Sequence, residues 1–269
     1  VAHWNDTPLI QYIIVLFMFL AGTNFVLSYF VFKGNIRRVV KDEEFKLYFK
    51  FILIFSLIVG GIIYFNTYLN GVSTFSHPLT FGVGEGSFRH AFFQVVAIVT
   101  TTGFVSADYT LWSPFLLVFF FGLMFFGGSA GSTSGGVKVV RHLVLIKNGF
   151  LEFKRTLHPS AILPVRYNEK SVSGEIVFNV LGFFILYMLS FIVGSLGFAL
   201  LGLDFESAIG VAASSLGNVG PALGQFGPAH NFYEMPTSGK WWAAFLMLIG
   251  RLELFTVLIL FTPFFWRNR

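Results

Sequence analysis

The sequence predicts an all-α membrane protein built from repeated units, each a membrane span, a re-entrant half-helix ending in a glycine turn, and a second span. Three observations lead there. Of 269 residues, 55% are hydrophobic and only 12% charged, 37 are Phe, and the mean hydropathy is +0.74. One soluble core of this size could not bury so much apolar surface. Uncharged runs long enough to cross the ~30 Å hydrocarbon layer as helices recur along the chain. Finally, two short apolar segments that end in glycine turns match at an offset of 117, with Phe88, Ala91 and Gly103 against Phe205, Ala208 and Gly220. Internal duplications in membrane proteins have this form.

The long runs cover residues 7–32, 51–69, 109–137, 176–203 and, interrupted by Arg251 and Glu253, 241–266. Five spans are expected. Within the first, Gly22 and Asn24 predict close helix packing and a buried hydrogen bond. The first half-helix is predicted over residues 87–99 with Ser87 as its N-cap, and the second begins behind Asp204. Thirteen residues at ~1.5 Å each rise about 20 Å, so such a helix dips into the bilayer and its chain must return in non-helical form. Such backbone is tolerated only where it lines a cavity.

Charge orients the elements. Residues 33–50 hold six Lys or Arg, residues 138–170 hold seven, and Arg267 and Arg269 bring the sum to 15 of 18. Positive connections stay cytoplasmic, anchored at the lipid headgroups, which puts both half-helices on the outer side. The chain has no Cys, so disulfides and thiolate chemistry are excluded, and its six His show no zinc spacing. It opens at Val1 without Met or a charged leader, and a longer protein upstream is expected.

The turns read Thr100-Thr101-Thr102-Gly103-Phe104 and Gly217-Asn218-Val219-Gly220-Pro221. Glycine reaches φ > 0, which lets successive carbonyls converge and replace the hydration shell of a monovalent cation. Both half-helices enter from outside, so their partly negative C-terminal ends point at the turns and favour a cation there.

Residues 127–136 contain five Gly and four Ser or Thr, a composition that should break the third span. A phosphate-binding loop is excluded, because Val137 and Lys138 follow where Lys and then Ser or Thr are needed. Gly127-Gly128-Ser129-Ala130-Gly131 fits the G-x-S-x-G of hydrolases, but no strand flanks it, and His142, the nearest base, sits among Lys138, Arg141 and Lys147. Those cations would lower its pKa and suggest a headgroup position. Arg251 lies mid-span, where a charge costs ~2.5–3.5 kcal/mol, so it should face the interior and donate to carbonyls of the glycine-rich loop. Glu253 has no assigned partner.

The strings TTTGF at 100–104, GGSAGSTSGGVKVVR at 127–141, LGNVGPALG at 216–224 and GRLELFTVLILFTPFFW at 250–266, in this order, resemble the Trk-type potassium uptake proteins of bacteria. The resemblance covers nearly the whole chain. It implies potassium-channel-like span, pore-helix, span units, four around one pore. Residues 1–44 would be the outgoing helix of the second unit with a cytoplasmic loop, 45–171 the third unit and its loop, and 172–269 the fourth. One and a half units are then missing, and the chain is expected to be the C-terminal part of a longer transporter. Carried over by residue, Thr101, Thr102, Gly103, Asn218, Val219 and Gly220 line the filter and bind K+. Gly127, Gly128, Gly131, Gly135 and Gly136 form an intramembrane gating loop with Arg251. In this superfamily glycine at the filter position accompanies potassium, and serine in the first unit accompanies sodium. The resemblance further implies a multi-pass location in the bacterial inner membrane, a homodimer and a cytoplasmic nucleotide-binding regulatory subunit of the TrkA kind. It implies neither a cofactor nor a nucleic-acid partner.

Three alternatives stand beside this reading: a sodium- or proton-coupled cation carrier, an intramembrane hydrolase, and a purely structural membrane subunit.

Overall fold

The structure, a computed structural model, describes residues 7–69, 81–161, 163–252 and 254–267. Helix α1 (Pro8–Ala21) opens on proline, whose missing N–H is harmless in a first turn. Helix α2 (Phe25–Phe32) leaves it at 113°, so the first apolar run is a bent pair and not the single helix expected. Contacts from distant parts of the chain hold the bend. Gly22 is wedged where a Cβ would lie 2.4 Å from the Tyr48 hydroxyl, and its carbonyl accepts from Ser129 N at 2.9 Å. Asn24 does not make the buried bond expected of it. It caps α2, accepting from Val26 N at 2.8 Å in an exposed setting.

After the short α3 (Ile36–Lys41), Asp42 caps α4 (Glu43–Tyr64), which continues through a π-helical turn, Phe65–Leu69. Helix α5 (Val83–Val99) is the first half-helix and starts behind Gly82, four residues before the expected Ser87. Ser87 is buried inside the helix and caps nothing. Gly84 and Gly86 look like breakers in sequence, yet burial of α5 overrides their poor propensity. One half-buried ion pair anchors it. Arg89, 1% exposed, donates to Glu85 Oε1 at 2.9 Å and to Gln11 Oε1, and the Tyr12 hydroxyl donates to the same Glu85 oxygen at 3.1 Å. Helix α1 is thereby pinned to α5.

Helix α6 (Pro114–Leu123) is capped by Ser113, and its 10 residues rise only ~15 Å. The chain then leaves helical geometry through the glycine-rich stretch and resumes as α7 (Val139–Leu157). His142 on α7 is buried and stacked on Phe126, centroids 4.3 Å apart, so its ring packs inside the protein. Burial, not its cationic neighbours, is what disfavours its charged form. A two-stranded antiparallel hairpin, β1 (Arg166–Tyr167) and β2 (Lys170–Ser171), follows; nothing in the apolar pattern announced it.

Helix α8 (Gly174–Leu200) has 27 residues, ~40 Å, and is capped by Ser173. Asp204 caps α9 (Phe205–Gly217), the second half-helix, by accepting from Ser207 N at 3.1 Å. Helix α10 (Thr237–Arg251) packs close to α8, where Trp242 Nε1 donates to Gly194 O at 3.1 Å. The chain then bends by 119° into α11 (Leu254–Leu258), and α12 (Pro263–Arg267) follows. Glu253 lies outside the described residues.

Among the described residues, α4 and α8 are long and apolar enough to cross a membrane alone, and the two bent pairs can each supply a further span. The five expected runs therefore become two straight helices, two bent pairs and one short helix completed by a loop. Each half-helix is cradled, α5 by α4 and α1, and α9 by α8 and α10. Ala91 to Val99 on α5 and Val211 to Leu216 on α9 are almost wholly buried, which sets the turns at their ends in the middle of the molecule.

Candidate functional site

Both half-helices end in one backbone motif, at positions 117 apart. Thr101 (φ 54°) and Asn218 (φ 55°) adopt the left-handed conformation. Thr102 N donates to Ala97 O and Val219 N to Ser214 O, each at 2.9 Å, while Thr101 N reaches Ile98 O and Asn218 N reaches Ser215 O at 3.0 and 3.1 Å. These are Schellman caps, which satisfy the last carbonyls of a helix. Gly103 (φ 71°) and Gly220 (φ 113°) then take the positive φ that the sequence reading asked of them. The left-handed residue two places earlier was not foreseen. Asn is at ease there, but a β-branched Thr is an outlier that costs roughly 1–2 kcal/mol.

The turns touch. A Cβ on Gly103 would lie 2.3 Å from Val219 O and 3.1 Å from Pro221 Cδ, and one on Gly220 would lie 3.6 Å from Gly103 Cα. Ser214 braces the second turn, donating to Gly220 O at 2.9 Å and accepting from Gly220 N at 3.1 Å, so that carbonyl is engaged with its half-helix. Beyond each turn, side chains on the half-helix hold the departing strand. In the first copy His90 Nδ1 meets Ser106 Oγ at 3.0 Å and Gln94 Nε2 donates to Ala107 O at 3.1 Å. In the second, Glu206 accepts from Gly224 N at 3.1 Å and Ser207, the counterpart of His90, accepts from Gln225 N at 2.9 Å. Tyr109 OH donates across to Ala222 O at 3.1 Å. Polar residues inside otherwise apolar half-helices were the signal for this set, and it passed unread.

The glycine-rich segment packs directly against both turns. Its ends are pinched, with Gly127 N donating to Val137 O at 2.8 Å and Val139 N to Gly128 O at 3.1 Å. Gly135 N donates to Thr101 Oγ1 at 2.7 Å, and a Cβ on Gly135 would lie 2.4 Å from Gly217 O. A Cβ on Gly127 would lie 2.2 Å from Gly135 O, and one on Gly128 2.6 Å from Gly22 O. Gly131 (φ 69°) and Gly136 (φ 64°) turn the chain back.

Two cations donate to carbonyls of this loop. Arg251 Nη1 reaches Thr133 O, and Lys138 Nζ reaches Ser134 O and, at 3.4 Å, Ser132 O. Arg251 can stand there because Gly250 has no side chain; a Cβ would lie 1.9 Å from Leu216 O. Ser132, Ser134, Lys138, Arg141 and Arg251 border one cavity of about 310 Å³. Lys138 was read from sequence only as a charge in a basic stretch. Ser129, the serine of the hydrolase-like string, is 1% exposed, and its amide is bonded to Gly22 O.

The profile of the cation transport protein family TrkH matches residues 1–268. The chain belongs to this family. Among TrkH relatives, the Trk system potassium uptake protein TrkH of Salmonella typhimurium strain LT2 is 38% identical over 264 residues, 98% of this chain and 52% of that protein. Its counterpart in Escherichia coli strain K12 is 37% identical over 268 residues, 98% of this chain and 52% of the relative. The crystal structure of the potassium transporter TrkH from Vibrio parahaemolyticus shares 34% identity and a TM-score of 0.87, covering 97% of this chain and 54% of that one. The chain thus spans about half the length of the curated relatives it matches. Membership of a transport family sets the hydrolase alternative aside.

Proposed function

We propose that this chain forms part of the wall of a potassium uptake pathway in a bacterial inner membrane, with residues 45–171 and 172–269 as its third and fourth units and residues 1–44 completing the second. The observation that carries the reading is the pair of touching turns with one backbone geometry, at Thr101 to Gly103 and Asn218 to Gly220, each at the partly negative end of a half-helix. Thr101, Thr102, Gly103, Asn218, Val219 and Gly220 line the filter, and backbone carbonyls of the two turns, that of Gly220 braced by Ser214, replace the hydration shell of K+ without a fixed negative charge. Potassium is the cargo, and no cofactor is invoked. Gly127, Gly128, Gly131, Gly135 and Gly136 shape a gate beneath the filter. Arg251 and Lys138 hold it by its carbonyls and oppose cations in the closed state. Names of the relatives support a place in a Trk system, and the resemblance noted in the sequence adds to this reading a homodimer working with a cytoplasmic nucleotide-binding subunit.

The test is potassium uptake by the full-length protein in a potassium-auxotrophic bacterium, wild type against Gly103→Ser and Gly220→Ser. Growth at low potassium should be lost, or sodium admitted, with either serine. Unchanged growth and selectivity in both would make the turns packing features and put the ion path elsewhere.

A further inference from the structure

Glu44, at the cytoplasmic end of α4, is 2% exposed although it carries a carboxylate. Its Oε1 accepts from Ala130 N at 2.6 Å, inside the glycine-rich loop, and the amide of Val140, in the first turn of α7, interacts with the same carboxylate. One side chain therefore holds the middle of the loop and the helix that follows it. The other oxygen faces the cytoplasmic hairpin, receiving the Tyr167 hydroxyl at 3.5 Å.

The hairpin is clasped to the same stretch of α4. Asn168, at the turn and at φ 45°, donates from N to Glu43 Oε2 at 3.1 Å and from Nδ2 to Asp42 Oδ2 at 2.7 Å, and accepts from Glu43 N at 2.9 Å. Lys147 on α7 closes the group, reaching Glu43 Oε2 at 2.6 Å and Arg166 O at 2.8 Å. The hairpin, the start of α4 and residues of α2 and α3 together line an open groove of about 740 Å³, which Lys170 and Ser171 border. A buried carboxylate is held by its donors and is strongly unfavourable without them. A shift of the hairpin therefore loads Glu44, and Glu44 loads Ala130.

We propose that Glu44 is a positioning residue that couples the cytoplasmic hairpin to the glycine-rich loop, so that displacement of Tyr167 and Asn168 resets the loop under the two turns. This rests on the reading of the loop as the gate. The contact is a short hydrogen bond at Ala130 and a long one, 3.5 Å, at Tyr167, and it crosses 86 positions of sequence to Ala130 and 123 to Tyr167.

The experiment uses the purified full-length protein and two readouts: hydrogen exchange of the segment containing Ala130, and rubidium uptake in proteoliposomes with and without the regulatory subunit. Glu44→Ala should speed exchange there about tenfold, as expected for loss of one hydrogen bond to a charged group. Glu44→Gln keeps an acceptor and should stay near wild type. Asn168→Gly, which tolerates the positive φ but frees the hairpin, should speed exchange in the same direction without touching the loop. Uptake without the subunit should rise in Glu44→Ala and Asn168→Gly. Exchange at Ala130 unchanged in Asn168→Gly, whether or not Glu44→Ala folds, overturns the coupling. Faster exchange with uptake unaltered would uphold the coupling and refute the loop as gate.

Discussion

The hydroxyl of Thr101 accepts a hydrogen bond from the amide of Gly135 at 2.7 Å, joining the left-handed residue of the first turn to the glycine-rich loop. A strained threonine is thereby put to use, since its side chain satisfies a buried amide.

Thr101→Ala should leave that amide unsatisfied, at roughly 1–3 kcal/mol. A fall of several degrees in the Tm of the purified full-length protein and a loss of potassium uptake are expected. Thr101→Ser keeps the acceptor and should behave like wild type. Equal damage from both would show that the methyl group matters and not the hydroxyl.

Lys138, at the N-cap of α7, and Arg251, at the end of α10, reach the neighbouring carbonyls of Ser134 and Thr133. Removing either cation should raise unregulated rubidium flux, and the double replacement Lys138→Met with Arg251→Gln should depart from additivity, because the two share one loop. Flux through the three variants in proteoliposomes decides it. Independent, additive effects would mean that each cation acts on its own.

Arg89 is fully enclosed with Glu85 and Gln11. Arg89→Met removes the partner of Glu85, whose side chain is 29% exposed, so the cost is that of a partly screened pair, about 1–3 kcal/mol. Thermal unfolding should move down strongly and recover in part when Glu85→Gln is added. No recovery in the double variant would mean that the arginine acts through packing.

The long spans α4 and α8, the two half-helices and the break at residues 127–136 could be read from the sequence, because apolar length and glycine density act locally. Family membership could be read for the same reason, from four ordered strings. The start of α5 was missed because Gly84 and Gly86 argue locally against a helix that burial stabilises. The bend at Gly22 was missed because its cause, the Tyr48 hydroxyl, is 26 residues away. Glu44, Lys138, Asn168 and His90 share one reason. Each is a polar residue whose partner is fixed only by the fold, and periodicity carries no record of it.

The two turns share a backbone and differ in every side chain from Thr101/Asn218 to Phe104/Pro221 except at the glycine. Where identical subunits ring an axis, any substitution enters every quadrant at once and the opening changes in large symmetric steps. Copies written consecutively in one gene are free of that constraint. On the proposed reading of the turns as two walls of an ion path, each wall can drift alone, so natural variation can adjust ion preference one quarter at a time while the other walls keep the passage working.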